Sequence, residues 1–276
     1  MNKNIIVFSL IALLLSACGP TEEQQAQKLV NDSRNLVING QWREARFLLD
    51  SIHNTYPRLV AYRRQAKSLE DSIVYLESKK NIAYADSLLS PLLPKADLLL
   101  KQFKYDKNDK YENQGNYVHR LLVTSSNTSR NFLQSCVRDD RETVVKSYYF
   151  GTRKIQQKEV ILSANGEELH FSGSSHSFEA EGWHSIMTFS GEQALSLLNF
   201  VNSHINHRIR IEGRGQNANE NWVYNLSNQE KSALSATYEL GWLMKDIKRL
   251  EQMLNTSHQL VNRYEQKYIT NTNLPE

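Results

Sequence analysis

Residues 227–268 read SNQEKSALSATYELGWLMKDIKRLEQMLNTSHQLVNRYEQKY, with no proline and a single glycine, Gly241. The opening Ser227-Asn228-Gln229-Glu230 has the Ser-x-x-Glu spacing in which hydroxyl and carboxylate each satisfy a free backbone N–H at a helix start. Apolar positions then recur at alternating steps of three and four: Ala233, Ala236, Leu240, Leu243, Ile247, Leu250, Leu254, Val261, Tyr264 and Tyr268, interrupted only by Ser257. Lys245, Asp246, Lys248, Arg249, Glu251, Arg263, Glu265 and Lys267 fall between them. This is a heptad seam on a solvated helix about 60 Å long at ~1.5 Å per residue. One helix cannot keep such a seam dry alone, so the sequence requires a partner helix.

The totals bound the answer loosely. The chain has 276 residues, 40% apolar and 23% charged, an ordinary globular composition with room for two modest domains. The formal charge is +3, and removal of residues 1–17 takes away only Lys3, leaving +2. No run of lysine or arginine supplies the footprint of a nucleic-acid binder, so that class is excluded as a partner.

Residues 1–17 form a secretion signal: Asn2 and Lys3, then the apolar run Ile5-Ile6-Val7-Phe8-Ser9-Leu10-Ile11-Ala12-Leu13-Leu14-Leu15, too short to span a bilayer comfortably. It ends in Leu15-Ser16-Ala17-Cys18, which resembles the processing box of bacterial lipoproteins. The resemblance implies cleavage before Cys18, acylation of its thiol and new amino group, and tethering to a membrane. Acyl chains contributing ~0.8 kcal/mol per methylene hold a soluble body there. Cys136, the other cysteine, is then left without a disulfide partner and is read as a small buried residue in a strand. Residues 18–23 form a tether. Gly19-Pro20-Thr21-Glu22-Glu23 resembles the export signal of surface-exposed lipoproteins in Bacteroidetes-type bacteria; a solvated tether with two acidic residues at a helix start explains it equally well. The expectation is an outer-membrane lipoprotein, with surface exposure implied.

Residues 24–39, with Leu29, Val30, Ser33, Leu36 and Val37, and residues 41–53, with Trp42, Ala45, Leu48, Leu49 and Ile52, read as two amphipathic helices about Asn39-Gly40. The pair resembles one tetratricopeptide-type repeat. Gly40-Gln41-Trp42-Arg43-Glu44-Ala45 matches its turn and second helix, and Leu49, Ile52 and Pro57 fall at later signature spacings. Asp32 and Ser33 replace the usual leucine and glycine. A lone hairpin must pack on the next helix. That helix runs from Arg58 to about Ser90, with Tyr62, Ala66, Leu69, Ile73, Leu76 and Ala83 apolar and Lys80 in the seam, and is the natural antiparallel partner of residues 227–276. The seam could equally pair between two chains and give a homodimer. Pro91 and Pro94 should break or kink the helix. Residues 24–103 are thus a helical base and first arm, and the polar run within 104–116 is a boundary.

Between 117 and 226 the period changes from 3.6 to 2. Strands are expected at 117–124, 131–138, 143–150, 158–164, 167–171, 183–190, 208–212 and 222–226, with a helix over 191–203 and a two-residue turn at Asn165-Gly166. The fold class is α+β: a long antiparallel, coiled-coil-like helical stalk with an N-terminal hairpin and an inserted antiparallel β-rich head.

Chemistry-bearing motifs are sparse. Six of eight histidines fall in the middle module, but no His-Glu-x-x-His or cysteine pair accompanies them, and His204 and His207 straddle the start of a strand. Ser172-Gly173-Ser174-Ser175 is read as a loop and not a nucleophile elbow, and Asp139-Asp140 and Glu167-Glu168 as solvated turns. No cofactor, metal or catalytic site is expected. Trp183 and Trp222 are either core residues or, if exposed beside Asn219 and Asn221, a platform for a sugar ring or a protein partner. The function expected is a non-enzymatic interaction or scaffolding module on the envelope, with another envelope protein or a glycan as partner. The alternatives are an accessory glycan-binding lipoprotein and an enzyme with a non-sequential site in the head.

Overall fold

Two helices of 41 residues each, α3 (Val60–Leu100) and α5 (Asn228–Tyr268), frame everything between them in the sequence. The computed structural model describes residues 20–107, 113–124, 127, 129–217 and 219–268; the signal at 1–17, Cys18 and residues 269–276 of the second arm lie outside them. The chain is α+β and divides into two units, Met1–Tyr84 with Met253–Glu276, and Ala85–Gln252. Among the described residues no helix is long and apolar enough to cross a membrane.

In the first unit, α1 (Glu22–Ile38) starts on a reciprocal cap in which Gln24 N–H donates to Thr21 Oγ1 at 3.3 Å and Thr21 N–H donates to Gln24 Oε1 at 3.0 Å. Gly40 takes φ +75° to turn the chain into α2 (Trp42–Thr55). Val30, Val37, Ala45, Leu49 and Ile52 share one core with Ala66 and Ile73 of α3, so the hairpin packs on the following helix as the lone repeat requires. Ser33 is buried, its hydroxyl turned back onto Leu29 O at 2.7 Å. The end of α5 lies antiparallel along α3. Ser72 and Tyr264 hydroxyls are 3.0 Å apart, Tyr75 and Tyr264 rings stack at 4.4 Å, and the Lys267 ammonium and Tyr268 hydroxyl donate to Asp71 Oδ2 at 2.8 and 2.7 Å.

Beyond Ile73 the seam of α3 departs from the expected positions. Leu76 and Ala83 are exposed, while Ser78 and Ala85 are buried. At ~100° per residue Ser78 lies about 140° round the helix from Ile73, so the buried stripe moves to another face of α3. Pro91 and Pro94 do not end the helix, which continues to Leu100. Ala85, Leu89, Leu92, Ala96 and Leu99 keep the alternating steps of four and three through both prolines, so buried or half-buried positions hold the helix where two backbone N–H groups are missing.

The second unit holds ten strands among the described residues, in a six-stranded sheet ordered β1-β2-β3-β4-β8-β7 and a four-stranded sheet ordered β10-β9-β5-β6. They are β1 (Phe103–Asp106), β2 (Asn116–His119), β3 (Phe132–Arg138), β4 (Thr143–Gly151), β5 (Glu159–Ala164), β6 (Glu167–Ser172), β7 (Ser175–Glu179), β8 (Trp183–Ser190), β9 (Arg210–Arg214) and β10 (Asn221–Asn225), with α4 (Glu192–Ser203) after β8. Three differ from expectation. The start of the polar boundary is strand β1, because Phe103 is buried and the Tyr105 ring meets Tyr117 at 5.1 Å. The strand expected over 117–124 stops at His119, where its ring Nδ1 accepts from Leu121 N–H and caps a 3-10 turn, Arg120–Leu122. The Ser-Gly-Ser-Ser loop leads directly into β7. The hairpin at Asn165-Gly166 is as expected, with φ of +51° and +82°.

Inner faces of both sheets, α4 and the start of α5 share one core, with Val145, Met187 and Phe189 meeting Val160, Leu162, Phe171 and Ile211. Buried Gln157 ties the interior: its amide donates to Ser147 O at 3.1 Å and Ser185 O at 2.7 Å while its carbonyl accepts from Ser147 Oγ at 2.9 Å.

Candidate functional site

Strand register decides which side chains share the outer face of the six-stranded sheet. Phe132 pairs with Tyr148, Tyr148 with Ile186 and Ile186 with His176; two residues along, Phe150 pairs with His184 and His184 with Phe178. The alternate residues Val145, Ser147, Tyr149, Met187 and Phe189 point inward and are buried. The outer face therefore carries two rows of rings about 7 Å apart at ~3.4 Å per residue. Within the first row Tyr148 stacks at 4.5 Å on Phe132, which is itself fully buried beneath Arg130; within the second, His184 stacks on Phe178 at 4.8 Å and 5° and meets Phe150 at 5.0 Å.

The rows floor an open cleft of about 490 Å³, walled at one end by Thr124, Ser129 and Arg130 and at the other by Ala180 and Glu181 of the β7–β8 turn. That turn places Glu181 at φ +53°, uncommon for a residue with a side chain, and sets the carboxylate on the rim. Two polar side chains of the cleft, Arg130 and His184, are held by structural bonds. Arg130 donates to Asn127 Oδ1 at 2.7 Å and Glu230 Oε1 at 2.8 Å and lies over the Phe132 ring; a His184 ring nitrogen meets Ala180 O at 2.8 Å. The lining is thus aromatic and rigid, with a polar rim, the composition of a recognition surface.

The four-stranded sheet has a different outer face. Glu212, nearly buried, accepts from Arg214 at 2.5 Å and Arg210 at 2.8 Å, while Glu159 faces His170 at 2.9 Å and Arg214 at 3.7 Å. Burial alone would raise the Glu212 carboxyl, but the two guanidinium groups, Arg214 first, hold it below the usual carboxylate range.

The tryptophans singled out from sequence are not joined into a platform. Trp222 is buried at 6% exposure, its indole lying over Gly213 where a Cβ would overlap it, and near Tyr149. Trp183 is half-buried, with the Lys154 ammonium 5.2 Å over its ring. Asn219 and Asn221 are exposed, and their backbone carbonyls accept from Arg153 at 3.1 and 3.3 Å. His204 is bonded to Phe200 O at 2.9 Å and lies 6.2 Å from His207. Among the described residues no group of three His, Cys, Asp or Glu side chains is arranged to hold a metal ion. Cys136 is buried in β3, 3.6 Å from Asn116 Oδ1. Cys18 lies outside the described residues.

Sequence reading missed the ring cleft because its members sit on four strands. Nothing local sets Tyr148, Phe150 and Phe178 apart from core aromatics, and only the pairing of β4, β8 and β7 shows them on the outer face. The alternation of burial along β4 and β8, buried at Val145, Ser147, Tyr149 and at Ser185, Met187, Phe189, is the signal that separates the faces. Comparison with protein-family models, with curated proteins and with solved structures found no match to this chain.

Proposed function

We propose that this chain is a lipid-anchored cell-envelope protein, held at the outer membrane through acyl chains on Cys18, that works as a non-enzymatic interaction module. Its partner is another envelope protein, bound through the ring cleft of the six-stranded sheet. The observation that carries the reading is the pair of aromatic rows on an outer sheet face, ending at β7, a terminal strand of its sheet. An extended segment of a partner can lie beside β7 and set apolar side chains over Phe178 and between the rows. Structural bonds hold Arg130 and His184, which favours recognition over proton transfer. The helical seam supports a partner other than a second copy, since Ile73, Leu240, Ile247 and Leu250 are already buried within one chain.

A photo-crosslinking residue placed at Phe178 in the full chain in cells tests the assignment, with the same residue at exposed Val223 on β10 as control. A discrete adduct is expected at 178 and not at 223. Tyr148→Ala should reduce its yield at least tenfold without loss of cooperative melting. Equal labelling at both positions, or an adduct indifferent to Tyr148→Ala, overturns the cleft as the partner site.

The glycan-binding alternative has a separate observation in its favour, a groove at Trp242.

A further inference from the structure

Trp242 sits on α5 at 40% exposure. It is nevertheless held in place. The Lys245 ammonium lies 4.5 Å over its ring and pairs with Glu192 at the start of α4, and Tyr238, one turn earlier, meets the indole edge-on at 6.4 Å and 85°. Tyr238 is itself fixed by donating to Asn199 Oδ1 at 2.8 Å. The indole lines a groove of about 530 Å³ floored by Leu92 and Leu243; Lys245, on its ring, is not part of the lining. A rigid, half-exposed indole at the side of a groove is a preorganised apolar platform.

The groove's polar lining has hydrogen-bonding capacity left over. Asn202 Oδ1 accepts from Ser235 Oγ at 2.6 Å, which leaves its amide N–H groups to donate. Asp246 has Arg249 only at 3.8 Å, and Glu239 shares Lys95 at 3.5 Å, so both carboxylates can accept. Charge narrows the ligand class. Two carboxylates disfavour an anion, the Lys95 ammonium set among them disfavours a polycation, and the ring of polar groups disfavours an apolar helix. An uncharged polyol with one C–H face satisfies all of them, because its hydroxyls both donate and accept while its apolar face stacks on the indole. We infer that the groove formed by Trp242, Asn202, Glu239, Asp246 and Lys95 is a binding site for a neutral pyranose glycan, separate from the ring cleft. Its volume suits one or two sugar rings.

Native electrophoresis of the full chain through gels containing dextran, mannan, xylan or a mixed-linkage glucan tests this, with polygalacturonate as the charged comparison. At least one neutral polysaccharide should retard the chain. Trp242→Ala and Asn202→Leu should each weaken that retardation at least tenfold, Trp242→Phe should retain part of it, and all three should melt as the parent does. Phe178→Asp, in the ring cleft, should leave it unchanged, so failure of the partner assignment does not remove the glycan site. Retardation by none of the neutral polymers, by polygalacturonate alone, or undiminished in Trp242→Ala overturns the inference; so does loss in Phe178→Asp with retention in Trp242→Ala.

Discussion

The C-terminal helix α5 runs through both units with one apolar seam and two kinds of surroundings. Up to Gln252 it is buried on more than one side. Besides Ala233, Leu240, Ile247 and Leu250, the structure buries Glu230, Lys231, Leu234, Thr237 and Met244. From Met253 onward only Ser257 and Val261 are buried among the described residues, and the helix is held by side chains at its surface: Tyr264 on Tyr75 and Lys267 and Tyr268 on Asp71. A heptad seam thus sets a helix's direction without setting how deeply it is embedded. Depth comes from the polar residues off the seam and from whether the β-rich unit offers them partners. Thr237 accepts from Ser135 Oγ at 2.8 Å, Lys231 donates to Ile205 O and His207 O, and Glu230 closes the reciprocal cap with Ser227 while accepting from Arg130.

The contrast breaks most sharply at Gly241. A Cβ there would lie 2.5 Å from Thr143 Oγ1 and 3.2 Å from Leu195 Cδ2, so the helix approaches β4 and α4 as closely as backbone allows. Gly241→Val should destabilise the protein by about 3 kcal/mol in chemical denaturation through overpacking. Gly241→Ala should still destabilise although alanine gains ~1 kcal/mol of helix propensity over glycine. A stabilised Ala variant would mean the approach is looser than it stands. Lys231→Met comes next. Its ammonium satisfies two carbonyls after α4 with little exposure, and leaving them unpaired should cost about 2 kcal/mol. Unchanged denaturation midpoints in that variant would show that water replaces the lysine.

The same residues mark how far the sequence can be read. The seam from Ala233 to Val261, the Ser227–Glu230 cap and the Asn165-Gly166 turn were legible, because each is a local pattern repeated by backbone geometry; the break expected at Ser257 is not one, since that serine is buried in line with the seam. An antiparallel pairing with α3 was legible but its residues were not: Tyr62, Ala66, Leu69 and Ile73, the stripe expected to face α5, pack on the hairpin, and Asp71, Ser72 and Tyr75 meet the end of α5 instead. Past Ile73, Leu76 and Ala83 are apolar yet exposed, because which stripe is buried depends on the neighbouring helix and not on the period alone. The burial of Thr237, Lys231 and Gly241 had no local signal; their partners Ser135, Ile205, His207 and Thr143 are distant in the chain. The candidate sites failed for the same reason. Phe178 and Tyr148 are joined through β8, and Trp242 gains its groove only when Leu92 and Asn202 are brought beside it.

The smallest effect lies at the far end of the helix, where the comparison can be sharpened with acid. Burial alone would raise the Asp71 carboxyl, but hydrogen bonds from Lys267, Tyr268 and Lys67 outweigh it and hold it down at about 2. A carboxyl depressed in the folded state contributes stability above its unfolded value near 4, and that contribution is lost as pH falls toward 2. With a fifth of the Asp71 side chain exposed to solvent, the contribution is about 1 kcal/mol after screening. Asp71→Asn should therefore be less stable than the parent at pH 7, and the two stability curves should converge between pH 4 and pH 2. Gly241→Ala, which changes no titrating group, should keep a constant offset from the parent across the same range. If the Asp71→Asn gap instead persists undiminished at pH 2, the carboxylate is not what clasps this end of α5, and the ring contacts of Tyr75, Tyr264 and Tyr268 with the Ser72–Tyr264 hydroxyl pair hold it.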